Sequence, residues 1–529
     1  MSQIAPGLKE TAISFNWIHV HNGPAGQCLV EGTRLWNSPL DIQGQAPGSR
    51  GSGWKSTGES LEAWCDHDAL ASLYWAASGD ELWVADSPLQ LIALGCDGTL
   101  DMEALSVFLR IGFFLGDRTP FLGIRTLLPG STLRWADGKV TCEGSELPAI
   151  SASDCSDDEL VDSYIDLFRE SVSLRLPVGS EPFVPISGGR DSRMILLELL
   201  RQHGKGLRAC TIVKGGVTSS PDSVIAGRVC AALDVPLVTI EGRQSFHDSM
   251  IRKNMITGLN SLEHTWIVPL WDAMATRATE VYDGFGAGVM SRSDLIEPNS
   301  IMLLKQRDWQ EWSRVLANAC ATPSEEELGL LEFDGDLSPL LSDSWVDHLA
   351  EHVEPLIQMP NPIAEFSLRH WGGRSIVQSP LAMSRSVDRV HIPLADRQLM
   401  ALMRGVPVER LIGNDLQTKA LERISGDLSA IPFDNQLSTS TVRRRSSLVR
   451  SIGNRFKRSR FTRGSRWGLS SVGRGRRPGW MLIQLVQYLR LLELVRDQAN
   501  ANELIKSYGP GSRSESKARA SLLWRQWQG

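Results

Sequence analysis

Three observations predict an α/β protein of more than one domain. The chain has 529 residues, above the size at which a single hydrophobic core usually stops growing. Past residue 180, short apolar runs alternate with helical segments. A Gly-Gly turn joins the first of those runs to the helix that follows it.

Residues 1–150 read as an α+β unit. Short apolar or alternating runs, such as Glu81–Ala85 and Thr132–Trp135, are broken by Gly, Pro and Asp-Gly turns. Asp137-Gly138, between Leu133 and Val140, is a hairpin signal. Asp101–Ile111 places Met102, Leu105, Val107, Phe108 and Ile111 at helical spacing. Ser151–Asp158 is a Ser- and Asp-rich linker ending in a helix N-cap, where acidic residues suit the dipole. The helix after it carries Leu160, Tyr164, Leu167 and Val172.

From there strands and helices alternate: strand Phe183–Ile186, helix Met194–Leu200, strand Ala209–Val213, helix Asp222–Leu233, strand Val235–Ile240. That order argues for a doubly wound parallel sheet. Past residue 300 the pattern is mostly helical. The expected division is 1–150, 151–437, a basic segment 438–478 and a helical segment 479–529.

Hydrophobic residues make up 42% of the chain and charged residues 22%, ordinary for a globular protein and too apolar for general disorder. The formal net charge is −6, yet 443–477 holds thirteen Arg and Lys and no Asp or Glu, leaving 42 basic against 61 acidic residues elsewhere. The eight cysteines (Cys28, Cys65, Cys96, Cys142, Cys155, Cys210, Cys230, Cys320) are scattered, with no C-x-x-C pair. They read as the mostly buried thiols of a cytosolic protein. No secretory signal is visible, and no run approaches the ~18–20 apolar residues that span a bilayer. A cytoplasmic location is expected.

The chemistry is carried by Pro185-Ile186-Ser187-Gly188-Gly189-Arg190-Asp191-Ser192-Arg193. The glycines let the backbone approach a ligand closely. Free N–H groups at the start of the helix, with the positive end of its dipole, make an anion site, and Ser187 and Ser192 add hydroxyls. Asp191 suits a phosphate only with a cation between them, so Mg²⁺ is implied with Asp191 as its ligand. A Gly-Gly turn alone commonly serves only tight turning; S-G-G-x-D-S between strand and helix is far more specific. The Walker A spacing is absent. Loops of this kind hold pyrophosphate as a leaving group, which means adenylation.

On these residues the chain resembles the asparagine synthetase superfamily. Gly112–Gly130 resembles the end of that family's glutaminase-like domain. Ser220-Pro221-Asp222, with Ala226, Val229 and Leu233, resembles its second strand–helix unit, and Val390–Leu399 its P-F-L-D-x-x-L segment. Thr418-Lys419 falls where the family carries an active-site lysine. The resemblance implies an N-terminal glutaminase-like sandwich of Ntn type and an ATP pyrophosphatase-type synthetase domain with a helical C-terminal part. It implies ATP and Mg²⁺, with Ile186, Ser187, Gly188, Gly189, Arg190, Asp191, Ser192, Val213, Gly284 and Gly286 around the nucleotide. Lys419 would stabilise charge on the carbonyl oxygen or leaving phosphate; outside this resemblance, such a lysine is a solvated helix face.

Departures from the family narrow the reading. Glutamine-hydrolysing members begin their mature chain with cysteine, whereas this chain begins Met1-Ser2-Gln3 and first reaches cysteine at Cys28. A serine hydroxyl is a poor substitute for a thiolate, so a degenerate glutaminase domain is expected. The family's G-E-G-S/A-D-E loop corresponds to Gly284-Phe285-Gly286-Ala287-Gly288-Val289. Phe285 would line the acceptor pocket and suit a more apolar or bulkier partner than aspartate. Gly288 replaces a magnesium carboxylate, for which Asp283 or Asp294 could compensate. Arg190 and Arg193 could hold pyrophosphate bidentately or point outward.

The basic stretch interleaves Phe456, Phe461 and Trp467, a pattern that can bind nucleic acid, acidic lipid or an acidic peptide. No nucleic-acid motif accompanies it, so a nucleic-acid role is not expected. Trp480–Val495 reads as a helix buried against the synthetase domain; the alternative is a membrane-surface helix beside the basic patch, within 443–495. The resulting expectation is a glutamine-independent, ATP-dependent amide-bond ligase, of the kind represented by β-lactam synthetases and lasso peptide cyclases. Its carboxylate and amine would be small molecules, peptides or surface-polysaccharide components. The alternatives are an ammonia-using asparagine synthetase and a non-catalytic scaffold or binding homologue.

Overall fold

The computed structural model describes residues 15–22, 28–38, 40–41, 51–68, 70–144, 151–179, 181–213, 220–242, 246–291, 295–320, 322–333, 335–413, 416–433, 467–469 and 480–509. The Met1-Ser2-Gln3 start, Asp294 and most of the basic stretch lie outside them.

The first unit contains two five-stranded antiparallel sheets. One runs Cys28–Gly32, Trp17–Asn22, Glu81–Ala85, Tyr74–Ser78, Arg125–Thr126; the other runs Lys139–Glu143, Thr132–Ala136, Ser60–Trp64, Gly53–Ser56, Leu35–Asn37. Alternation puts Ile18, Val20, Leu82 and Val84 from one sheet against Trp54, Leu61, Leu133 and Trp135 from the other, in one core. Asp137 and Gly138 take φ of 50° and 72°, the paired positive angles of a primed hairpin turn, and close Ala136 onto Lys139. The opposite face of the first sheet packs on helices Pro88–Ala93 and Met102–Ile111. The latter starts at Asp101, whose side chain accepts from the Ala104 N–H, and stops at Gly112 with φ 81°.

Asp157–Ser173 opens the second unit with a reciprocal capping box between Ser156 and Glu159. The parallel sheet behind it runs Leu237–Glu241, Arg208–Val213, Phe183–Pro185, Glu280–Tyr282, Arg389–His391. Leu40–Asp41 of the first unit adds an edge strand, pairing parallel with Val390 and His391. The helices Asp191–His203 and Pro221–Ala232 contribute Met194, Ile195, Leu199, Ile225 and Val229 to the core that encloses this sheet. Between sheet strands lies a wide π-helical stretch, Ser367–Ile376, in which the Val377 N–H donates to the Gly372 carbonyl at 2.9 Å.

Trp480–Val495 is buried against the second unit as expected, and it is also covered by the first unit, an unexpected partner. Leu482, Leu485, Leu489 and Leu492 join Leu105, Phe108 and Phe114 of the first unit and Met250, Ile251 and Met255 of helix Phe246–Ile256. Tyr488 stacks on Phe108 at 4.5 Å and donates its hydroxyl to the Leu259 carbonyl. This apolar face is therefore enclosed by protein, which removes the helix from the membrane-surface alternative. Among the described residues, no helix is long and apolar enough to cross a membrane.

Lys253, on helix Phe246–Ile256, is 1% exposed and donates to the Ser261 carbonyl. Burial pushes its ammonium down to about 7 against the attraction of Glu263. Below that pH both folded and unfolded chains carry the proton, so the folded state bears the full desolvation cost. The cost is relieved as pH rises through 7 toward the unfolded lysine range of ~10.4. Lys253→Met is expected to raise Tm at about pH 6, with the gain shrinking toward about pH 10 in thermal melts. A gain independent of pH would contradict this origin.

Candidate active site

In the parallel sheet the chain runs outward from Phe183–Pro185 through two strands, then returns to the other side at Glu280–Tyr282. The gap beyond the C-terminal ends of these two neighbours is a topological switch point, where open α/β sheets bind ligands. A cavity of about 640 Å³ occupies it, lined by Ile186, Ser187, Gly189, Asp191 and Ser192 on one side and Asp283, Gly284, Phe285 and Gly286 on another.

The first loop leaves the sheet one residue late. The Ile186 N–H still donates to the Cys210 carbonyl at 2.7 Å, after which the chain turns into helix Asp191–His203. The loop's donors are held by short side chains. The Ser187 N–H donates to Ser192 Oγ at 3.2 Å, the Gly189 N–H to Ser187 Oγ at 3.1 Å, and the Gly188 N–H to Asp222 Oδ1 at 2.9 Å. Arg190, at the N-cap, makes no side-chain cap, so the first N–H groups of the helix point into an anion-accepting end.

The second loop brings a carboxylate to the first. The Asp283 N–H donates to the His391 carbonyl at 2.8 Å, and its Oδ1 accepts from the Phe285 N–H at 2.8 Å. Burial, together with the charge of Asp191, pushes the Asp283 carboxyl up to about 6. The backbones are close enough that a Cβ on Gly284 would lie 3.4 Å from Asp191 Cβ. These two carboxylates are the oxygen donors a hard divalent cation prefers, although among the described residues no three metal-ligating side chains come together. Asp222 is a third carboxylate on the lining, and among the described residues no Lys or Arg lines the cavity.

Gly286 has a different use from the one its motif suggests. It sits at φ 140°, and a Cβ there would lie 2.2 Å from the Leu394 carbonyl carbon. Its missing side chain lets this loop cross the backbone of Pro393–Ala395, and so fixes where Asp283 and Phe285 stand. Phe285 is 5% exposed and forms cavity wall.

Lys419, Arg190, Val213 and Arg193 are not brought to the cavity, and Gly188, though its N–H belongs to the loop, does not line it either. Lys419 is on helix Leu416–Ser425 with its Nζ 4.0 Å from Asp157 Oδ2, half-exposed in a separate surface groove with Asp158, Glu422 and Arg423. One residue along a helix turns a side chain by about 100°, so while Thr418 meets Arg190, Lys419 faces elsewhere. Arg190 donates to Thr418 Oγ1 and stacks its guanidinium 4.0 Å over Phe433. Val213 is buried at the end of its strand, where its carbonyl accepts from Gly242; Cys210, Thr211 and Ile212 line the cavity instead. Arg193 neither binds there nor points outward. It is 1% exposed and donates to the carbonyls of Ile431 and Pro432 at 2.9 and 3.1 Å. Lys419→Ala is accordingly expected to retain at least about half of any ATP-dependent turnover, as for a surface ion pair worth ~0–1 kcal/mol. A hundredfold loss in steady-state rate would restore Lys419 to the site.

Asp222, quoted only within a helix-start motif, and His264, Trp266 and Trp371 line the cavity without having been read as site residues. For Asp222 a signal existed: Ser220-Pro221-Asp222 is a helix start, with Ser220 and Ser223 capping each other, which places Asp222 at a strand-to-helix turn beside the loop. Nothing in the local pattern marks the other three.

The chain matches no described protein family and no curated protein. Among solved structures it is similar to the U34-tRNA thiolase NcsA of Methanococcus maripaludis, at 10% identity over 42% of this chain and 86% of that one, with a TM-score of 0.23. It is also similar to the NH3-dependent NAD synthetase of Campylobacter jejuni, at 14% identity over 40% of this chain and 96% of that one, with a TM-score of 0.19. Likeness at this level identifies no activity.

Proposed function

We propose that the protein binds ATP at the Ser187–Ser192 loop and uses it to adenylate a carboxylate, which an amine then converts to an amide. The observation that carries this reading is the meeting of Asp191 and Asp283 at the sheet's switch point, directly beside a Gly-Gly loop that opens an uncapped helix. The second magnesium carboxylate missing at Gly288 is supplied from Asp283, at the end of the strand.

The loop's role is to present donors. Ser187, Gly188 and Gly189 N–H groups and the first turn of the helix face an anion that must replace Ser192, Asp222 and Ser187 as their acceptor. Asp191 and Asp283 would hold Mg²⁺, which when bound supplies positive charge to phosphate oxygens that no described side chain lining the cavity offers. Phe285 walls the acceptor side and excludes water from it. Glutamine plays no part in this reading.

The rival reading is a retired site acting only as a scaffold. It is favoured by the same three internal hydrogen bonds, which leave the loop satisfied without a ligand. ATP–pyrophosphate exchange with a panel of carboxylates separates the two. Exchange that disappears in Asp191→Ala supports adenylation. Its absence with every carboxylate, together with no ATP binding, supports the scaffold.

A further inference from the structure

One wall of the cavity is aromatic, and among the described residues it carries one imidazole, His264. The wall is continuous. A Cβ on Gly372 would lie 3.0 Å from Val289 and 3.6 Å from Phe285, and the neighbouring Trp371 donates its indole N–H to Glu263 at 3.1 Å. Glu263 leads into His264 and Trp266, and the Trp266 side chain remains 47% exposed where it lines the cavity.

His264 is held in an uncommon way. Its backbone takes φ 72°, in the left-handed region that is uncommon for residues other than glycine, although histidine is among those that enter it more readily. Its Nε2 lies 2.9 Å from the Ser375 carbonyl. A carbonyl can only accept, so Nε2 carries the proton and the lone pair is on Nδ1. Among the described residues no donor meets Nδ1. Burial lowers the pKa of the ring, the Lys253 charge acts in the same direction, and the Glu263 charge and the bond to Ser375 oppose them. The ring is therefore a neutral acceptor.

An acceptor asks for an N–H or O–H on its ligand. The same cavity carries Asp191, Asp222 and Asp283 and, among the described residues, no lining Lys or Arg, so without Mg²⁺ and nucleotide it attracts a cation and repels a free carboxylate. We propose that this wall seats a primary amine carried on an apolar, ring-sized group. The amine donates to His264 Nδ1, and its apolar body lies against Trp266, Trp371 and Phe285. The amine's role as the second substrate rests on the ligase reading; its binding does not.

Calorimetric titration of the full chain with phenethylamine, phenylacetate and ethanolamine, without nucleotide, tests this. Phenethylamine is expected to bind at least about tenfold more tightly than either of the others. Trp266→Ala should weaken it about tenfold, and His264→Leu should remove the preference for the amine over phenylacetate. His264→Gln keeps an acceptor oxygen and should stay within about threefold of wild type, a rescue that a packing role would not produce. Phenylacetate binding as tightly as the amine, or affinity unchanged in both Trp266→Ala and His264→Leu, overturns the proposal. So does a Trp266→Ala chain that loses ATP affinity and keeps amine affinity, because the wall would then belong to the nucleotide. ATP titrations on the same samples judge the ligase reading separately: amine binding without ATP binding sinks that reading and spares the seat.

Discussion

Asp283→Asn is expected to make the protein more stable and less able to bind its nucleotide. Asparagine keeps the oxygen that accepts the Phe285 N–H and removes one of two neighbouring carboxylate charges. A carboxyl raised by burial to about 6 makes the folded state lose stability as pH climbs from the ordinary aspartate range through 6. Removing it should therefore raise stability at neutral pH by about 1–3 kcal/mol, read as a higher Tm of the ligand-free chain. The same change should weaken ATP binding at least about tenfold in the presence of Mg²⁺ and leave it nearly unchanged in EDTA. A fall in Tm would show that Asp283 is a structural carboxylate. An equal loss with and without the metal would show that it does not act through one.

Gly286→Ala is expected to have the largest effect on folding. The added Cβ would meet three backbone atoms, 2.2 and 2.3 Å from the Leu394 carbonyl group and 2.5 Å from the Ala395 nitrogen, at a φ of 140°. Backbone atoms of a buried segment cannot rotate away as a flexible side chain can, so the strain cannot be relaxed locally. A destabilisation of about 3 kcal/mol or more follows, visible in urea unfolding or as loss of soluble protein. Gly189→Ala is the control. Its Cβ would meet only Ser187 Oγ, at 3.1 Å, so it should fold normally. Equal stability of the two variants would mean that the loop does not need to cross Pro393–Ala395 so closely.

What could be read from the sequence follows the range of the interactions involved. The runs Phe183–Ile186 and Ala209–Val213 and the string between them are local patterns, and the parallel sheet and the loop's place on it agree with them. The Asp137-Gly138 hairpin is equally local. Asp283 was visible only as one of two substitutes for the missing carboxylate. Its proximity to Asp191 depends on the parallel pairing of Phe183 with Val281, which a linear pattern does not display. Lys419 lies off the cavity for a rotational reason: on the same helix Thr418 touches Arg190, but the next residue faces Asp157. Arg193 shows the same limit, because a carbonyl pair at Ile431 and Pro432 takes a charge that composition would leave in water. Helix Trp480–Val495 reads as buried, and only the assembled fold shows that the first unit covers it together with helix Phe246–Ile256 of the second.

The most direct measurement is calorimetric titration of the intact chain with ATP, with Mg²⁺ and again with EDTA. The reading predicts one ATP per chain with affinity that rises at least about tenfold with the metal, and no such rise in Asp191→Ala or Asp283→Asn. No heat of binding under either condition, or a metal effect that survives in both variants, would contradict it.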